Sequence, residues 1–177
     1  MSRTSFPAIT SLLVLLAGCA GNPPLVPPEV SNALRPAAGE TLFLEALATG
    51  SQVYECVPKA DEPGFYAWAF KAPEATLTDK SGQPLGKHYG GPTWESLDGS
   101  QVVGEVKARA AGPDRRAIPW LLLTAKSTSG TGVFAATKSI QRVNTTGGVG
   151  PTAPPCMPST ANQVLRVPYT ATYYFYR

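Results

Sequence analysis

The stretch HYGGPTWESLDGSQVVGEVKAR, residues 88–109, decides how the rest of the chain is read. Its second half alternates: Val102, Gly104, Val106 and Ala108 share one side and Val103, Glu105, Lys107 and Arg109 the other, the period of a half-buried β-strand. Asp98-Gly99 just before it is a hairpin dipeptide, because a type I′ turn needs positive φ at both central residues. Residues 94–97 are then the incoming strand. Gly90-Gly91 repeats the turn signal, and a two-residue turn there sets His88 opposite Thr93 and Tyr89 opposite Pro92. That register puts His88, Thr93 and Glu95 on one face and Trp94 on the other. A three- or four-residue turn inverts the grouping.

Similar short runs lie at 41–47, 51–57, 65–70, 119–126, 138–143 and 168–176, and no window keeps a helical period beyond two turns without Gly or Pro. In the last run Tyr169, Ala171, Tyr173 and Phe175 alternate with Thr170, Thr172, Tyr174 and Tyr176. Both faces are large, which predicts a central strand. A charged fraction of 15% with 17 Gly and 18 Pro in 177 residues fits many segments joined by turns, since long helices need Glu, Lys and Arg to solvate their outer faces. The expected fold is all-β: an antiparallel β-sandwich or a partly closed β-barrel of short strands, with long loops, the glycine-rich stretches 129–132 and 145–155 among them.

Charge excludes some functions. The net charge of +3 is scattered along the chain, and the single basic cluster, 109–116, is diluted by Gly112, Pro113 and Asp114, so no nucleic-acid footprint is present. The run GTGV lacks the lysine and helix of a phosphate-binding loop, and TTGGVGP precedes no helix pattern. No cofactor is expected.

The first residues form a separate object. Arg3 gives a positive start, residues 8–16 are an apolar run of signal-peptide length, too short to cross a bilayer as a helix, and small residues follow. Leu16-Ala17-Gly18-Cys19 resembles the lipobox of bacterial lipoproteins, which implies cleavage after residue 18 and acylation of Cys19 by lipid such as palmitate. The next residue, Ala20, is not the aspartate that resembles an inner-membrane retention signal, so the expected address is the outer membrane of the cell envelope. Residues 19–40 are then the lipidated cysteine and a proline-rich tether, four prolines falling within 21–30. Residues 41–177 form a single β-rich domain.

Setting Cys19 aside leaves Cys56 and Cys156 in an oxidising compartment, where a disulfide is expected. A bridge closing a loop of about 100 residues contributes about 4–5 kcal/mol on the chain-entropy account. CxxC is absent, and two Cys with the only His of the chain fall one ligand short of a zinc site, so no metal is expected.

His88, oriented by Glu95 or Asp98, has the chemistry of a general base, and Trp94 that of a stacking platform for a sugar or aromatic ligand. The plainer alternative makes His88 a turn residue satisfied by backbone, Asp98 a turn former and Trp94 a core plug. It is favoured because no activated nucleophile accompanies the histidine and GxSxG is absent. Trp68 and Trp120, each in an apolar run, are expected in the core. Gln141-Arg142 is polar enough to line a pocket, and alternation sends one of the two outside.

The blocks GSQVYEC at 50–56, GKHYGGPTWE at 86–95, DGS at 98–100, IPWLL at 118–122, IQRVNT at 140–145 and VPY at 167–169 together resemble the family called domain of unknown function 3455. The resemblance runs from about residue 26 to the end. It implies a single exported or anchored domain of a kind found in bacteria and fungi, and carries no activity. Among the matching positions, Gln52, His88, Trp94, Glu95 and Gln141 are the candidate ligand-binding residues. The functions in play are an envelope binding module for a small or saccharide ligand, a structural envelope component without a pocket, and a hydrolase using His88 with Glu95 or Asp98.

Overall fold

Alternation carried through the whole chain builds eight strands, each antiparallel to its neighbour in sequence, and the last pairs back onto the first. The computed structural model describes residues 24–177; the signal segment, Cys19 and the first part of the tether lie outside the described residues. The strands are β1 (Leu42–Pro58), β2 (Tyr66–Thr78), β3 (Pro84–Tyr89), β4 (Thr93–Ser96), β5 (Gln101–Ala110), β6 (Trp120–Ser129), β7 (Ser139–Gly147) and β8 (Val164–Tyr176). The all-β expectation holds, and of its two architectures the closed one is found: a single antiparallel sheet in a ring. The ring is uneven, with β1 of 17 residues and β8 of 13 beside a β4 of only 4.

The strands are longer than the expected short runs. Runs 41–47 and 51–57 are one strand, because Gly50 does not turn the chain. A Cβ there would collide with the backbone carbonyl of Glu74 on β2, so the glycine lets two paired strands approach.

Both turns of the opening stretch carry three residues instead of two. His88 pairs with Trp94, Tyr89 with Thr93 and Lys87 with Glu95, leaving Gly90, Gly91 and Pro92 as the connection. The reason lies in Pro92, which has no N–H and cannot donate to a ladder, whereas Thr93 can, and its hydroxyl also closes the loop onto the Gly90 carbonyl at 3.0 Å. At Asp98-Gly99 only Gly99 has positive φ, +83°. The N–H of Gly99 donates to the Ser96 carbonyl and that of Ser96 to the Ser100 carbonyl, a type I turn with a glycine bulge.

One side of β8 fills the ring: Tyr169, Ala171, Tyr173 and Phe175 join Ala46, Ala48, Leu77, Trp94, Leu123, Phe134 and Ile140 in the core. Its other side is exposed at Thr170 and buried from Thr172 onward. Tyr174 and Tyr176 pack with Val143 against Val30, Leu42 and Trp120, and the segment before β1 lies over them with Leu34, in a short 3-10 turn, fully buried. Both faces of the last strand are thus covered from Ala171 to Tyr176, where its large side chains fall on either side. Of the two tryptophans expected in the core, Trp120 packs against the outer core cluster and Trp68 joins neither cluster. Trp68 donates to the Pro154 carbonyl at 3.0 Å beneath a loop.

Cys56 and Cys156 form the expected disulfide, tying the end of β1 to the long β7–β8 connection. The backbone reinforces the tie, for Cys56 exchanges hydrogen bonds with Gln163 and Asn162. Since the bond closes a loop of 100 residues, about 4–5 kcal/mol of stability rests on it. Reduction, or Cys156→Ser, is expected to lower the melting temperature by about 10 °C or more. Calorimetry with and without reductant checks this; an unchanged melting temperature contradicts it.

Candidate functional site

All eight strands contribute to one cavity of about 470 Å³ at one end of the ring. Its floor is apolar, made by Trp94 on β4, Val106 on β5, Leu121 and Leu123 on β6, with Ile118 and Pro73 beside them. Gly104 makes the seat for Trp94, since a Cβ there would lie 2.9 Å from the indole ring.

His88 stands against this floor. Its ring stacks on Trp94 with centroids 4.3 Å apart and meets Tyr173 edge-on at 5.1 Å. Nδ1 lies 2.8 Å from the Thr93 carbonyl, which can only accept, so Nδ1 carries the proton and the lone pair of the neutral ring is on Nε2. Burial drives the pKa down to about 3, the bond to Thr93 opposes this, and the nearby Arg142 charge adds to it. At neutral pH His88 is an uncharged ring.

The three-residue turn separates His88 from Glu95. His88 and Trp94 face inward, while Glu95 lies outside, accepting from Tyr89 at 2.7 Å and Gln101 at 3.1 Å and paired with Lys87 at 3.1 Å. These contacts, the Tyr89 hydroxyl first, hold its pKa below the usual carboxylate range. The expected His88–Glu95 pair, with its raised histidine pKa, is therefore not formed. Asp98 is no partner either. Its carboxylate accepts from the Ser100 hydroxyl and the Ser100 and Val133 N–H groups, which pulls its pKa to about 2 and pins the β6–β7 loop to the hairpin.

Gln52 reaches the cavity from β1, so Gln52, His88 and Trp94 converge. Gln141 does not. It faces outward, donating to the Leu34 carbonyl and accepting from the Tyr176 hydroxyl, each at 2.6 Å. Its neighbour Arg142 takes the inward position, the division that alternation predicts for this pair. The Arg142 guanidinium is held by two hydrogen bonds to the Pro119 carbonyl, at 3.2 and 2.8 Å.

Strand parity without bulges hides two further lining residues. Val106 pairs with Leu123 but Ala108 with Leu122, so Lys107 is the extra residue of a bulge and Arg109, expected on the outer side, is turned to the cavity side beside Leu121. Likewise Val53 pairs with Ala72 and Tyr54 with Phe70, and the intervening Lys71 joins the rim. Phe70, Lys71 and Arg109, all exposed, stand at the mouth. Lys71 is paired with Glu55 at 2.6 Å.

Three polar atoms buried at the cavity, Gln52 Nε2, Trp94 Nε1 and the Tyr173 hydroxyl, have no hydrogen-bond partner among the described residues. The Tyr169 hydroxyl behind them shares this state. Gln52 approaches the Tyr169 hydroxyl, and Tyr169 and Arg142 approach the Tyr173 hydroxyl, closely enough for weak hydrogen bonding, although none of these contacts meets strict hydrogen-bond geometry. Unpartnered buried donors cost about 1–3 kcal/mol each, and a group of them around a cavity is the signature of a site that a ligand completes. No group of three or more His, Cys, Asp and Glu side chains able to hold a metal ion occurs among the described residues.

Residues 36–177 match the family model described as protein of unknown function, DUF3455. The chain belongs to this family. No curated protein and no solved structure matches it. The matched span of the DUF3455 domain contains every cavity residue and begins just after Leu34.

The histidine supplies a test. Its folded pKa lies below the unfolded value of about 6.5, so the stability tied to it is present above pH 6.5 and is lost as pH falls toward about 3. At about 1.4 kcal/mol per tenfold change in proton affinity, the loss amounts to roughly several kcal/mol across that window. NMR titration is expected to find His88 unprotonated down to at least pH 4, unmoved by Glu95→Gln. Protonation near pH 6.5 or above contradicts the buried neutral ring.

Proposed function

We propose that this DUF3455 protein is a binding module for a small ligand, held at the cell envelope by an acylated Cys19. The single observation that carries it is the cavity, lined from every strand, largely apolar in its walls, with three unpartnered buried polar atoms at Gln52, Trp94 and Tyr173. Its size lies within the range of about 300–1,000 Å³ usual for small-molecule sites. A purely structural envelope component has no need of such a space, since a filled interior is more stable than a hollow one. The hydrolase reading loses its support because His88 has neither Glu95 nor Asp98 as an orienting carboxylate.

A thermal-shift panel of neutral, anionic and cationic apolar molecules tests the reading. Hits are expected to raise the melting temperature by about 2–4 °C for each kcal/mol of binding linkage. Val106→Trp, which fills the cavity, is expected to abolish the shifts while the near-ultraviolet circular dichroism stays that of a folded protein. No hit at millimolar concentration, or hits indifferent to the plug, contradicts it.

The anchor is tested separately. Cys19→Ala is expected to move the protein from the detergent-soluble membrane fraction to an unprocessed or soluble form. Mass spectrometry that finds the wild-type residue without an acyl chain contradicts the lipoprotein reading.

A further inference from the structure

We infer that the cavity selects an apolar molecule carrying one carboxylate, its hydrocarbon or aromatic body on Trp94, Leu121 and Leu123 and its charged end between Arg142 and Arg109. The inference rests on the ligand-binding reading above and narrows it to a class of ligand.

The charges around the cavity are all of one sign. Arg142 and Arg109 have no ion pair among the described residues, and no Asp or Glu lines the space. Lys71 is already matched by Glu55, which leaves the two guanidiniums as the unmet demand. A guanidinium keeps its charge at every pH a folded protein meets, and its planar fork fits a carboxylate.

Arg142 is also preset. Its Nε and Nη2 hydrogens are committed to the Pro119 carbonyl, so the group is held still and little freedom is lost when an anion meets its remaining donors. The orphaned polar groups near Arg142 point to the same chemistry, since the Tyr173 hydroxyl on the strand paired with it and Gln52 Nε2 each offer a hydrogen to an acceptor. A saccharide fits less well. It brings many hydroxyls that need acceptors, and the walls supply few.

Three probes of one chain length decide it: octanoate, octan-1-ol and octylammonium, titrated by calorimetry and by the fluorescence of the wild-type protein. Octanoate is expected to bind about tenfold or more tighter than octan-1-ol, the order of a charge-assisted contact, and octylammonium weakest. Arg109→Met, at an exposed position, is expected to narrow the octanoate preference without lowering the melting temperature. Arg142→Met is expected to remove the preference, and Arg142→Lys to restore part of it. If octanol binds as well as octanoate, or the arginine substitutions leave the ratio unchanged, the charge selection is overturned and the binding reading stands. If no eight-carbon probe binds while other molecules of the panel do, the carboxylate inference is overturned alone. Failure of probes and panel together overturns both.

Discussion

The backbone ladder between β1 and β8 is the interaction on which the rest of the structure depends. It runs from Leu42 opposite Tyr176 to Glu55 opposite Val164, and it converts an open meander of strands into a ring. Closure removes both sheet edges and creates one inside, so each strand residue has a side of the ring set by its parity. The partners are matched to that geometry. Small residues on β1, Ala46, Ala48 and Gly50, stand opposite large ones on β8, Tyr173, Ala171 and Tyr169, except at the central alanine pair. The small side of the ladder leaves room for aromatic rings that would otherwise collide, and the disulfide at Cys56 fastens the far end of the same strand.

Parity in turn depends on where the ladders slip. A bulge adds one residue to one strand and inverts the facing of everything beyond it. Here the slips at Val53/Tyr54 and Val106/Ala108 fall at the same end of the ring, and they bring Lys71 and Arg109 to the rim of the space that Gln52, His88 and Tyr173 line deeper down. The irregularity that spoils a regular barrel is the source of the mouth's positive charge.

How much of this was legible in the sequence follows from which quantities are local. The alternation from Val102 to Val106, the large faces of the final strand and the disulfide are properties of single segments or of two cysteines, and each reads correctly. Gln141-Arg142 is half legible: alternation separates the pair, but only the ring says that Arg142 is the inner member. What failed was counting across turns and bulges. Gly90-Gly91 looks like a two-residue turn until Pro92 is recognised as unable to pair, a signal present in the sequence and decisive for His88 and Glu95. The bulge that turns Arg109 inward has no such mark; it comes from fitting β5 to β6 around the ring. Leu34 was hidden for another reason, since its burial depends on an outer face made by Gln141 and Tyr176, more than a hundred residues away in the chain.

The electrostatics of the cavity follow from one residue that cannot give up its charge. Arg142 lies beside His88, Tyr54, Tyr169 and Tyr173, and for each of them its charge favours the less protonated form, although burial is the larger influence. For the tyrosines burial and charge oppose, and burial keeps the phenols neutral. For the histidine the two agree, which is why it is the group that yields its proton charge and becomes a neutral ring stacked on Trp94. A second cation inside would have been the costlier arrangement. With His88 neutral and every carboxylate near the site engaged elsewhere, Glu95 by Tyr89 and Lys87 and Glu55 by Lys71, the positive end of the cavity is answered by nothing in the described chain. The fold thus arrives at an apolar space with a fixed positive end by placing its acids on the outer surface and its one titratable base where it stays uncharged.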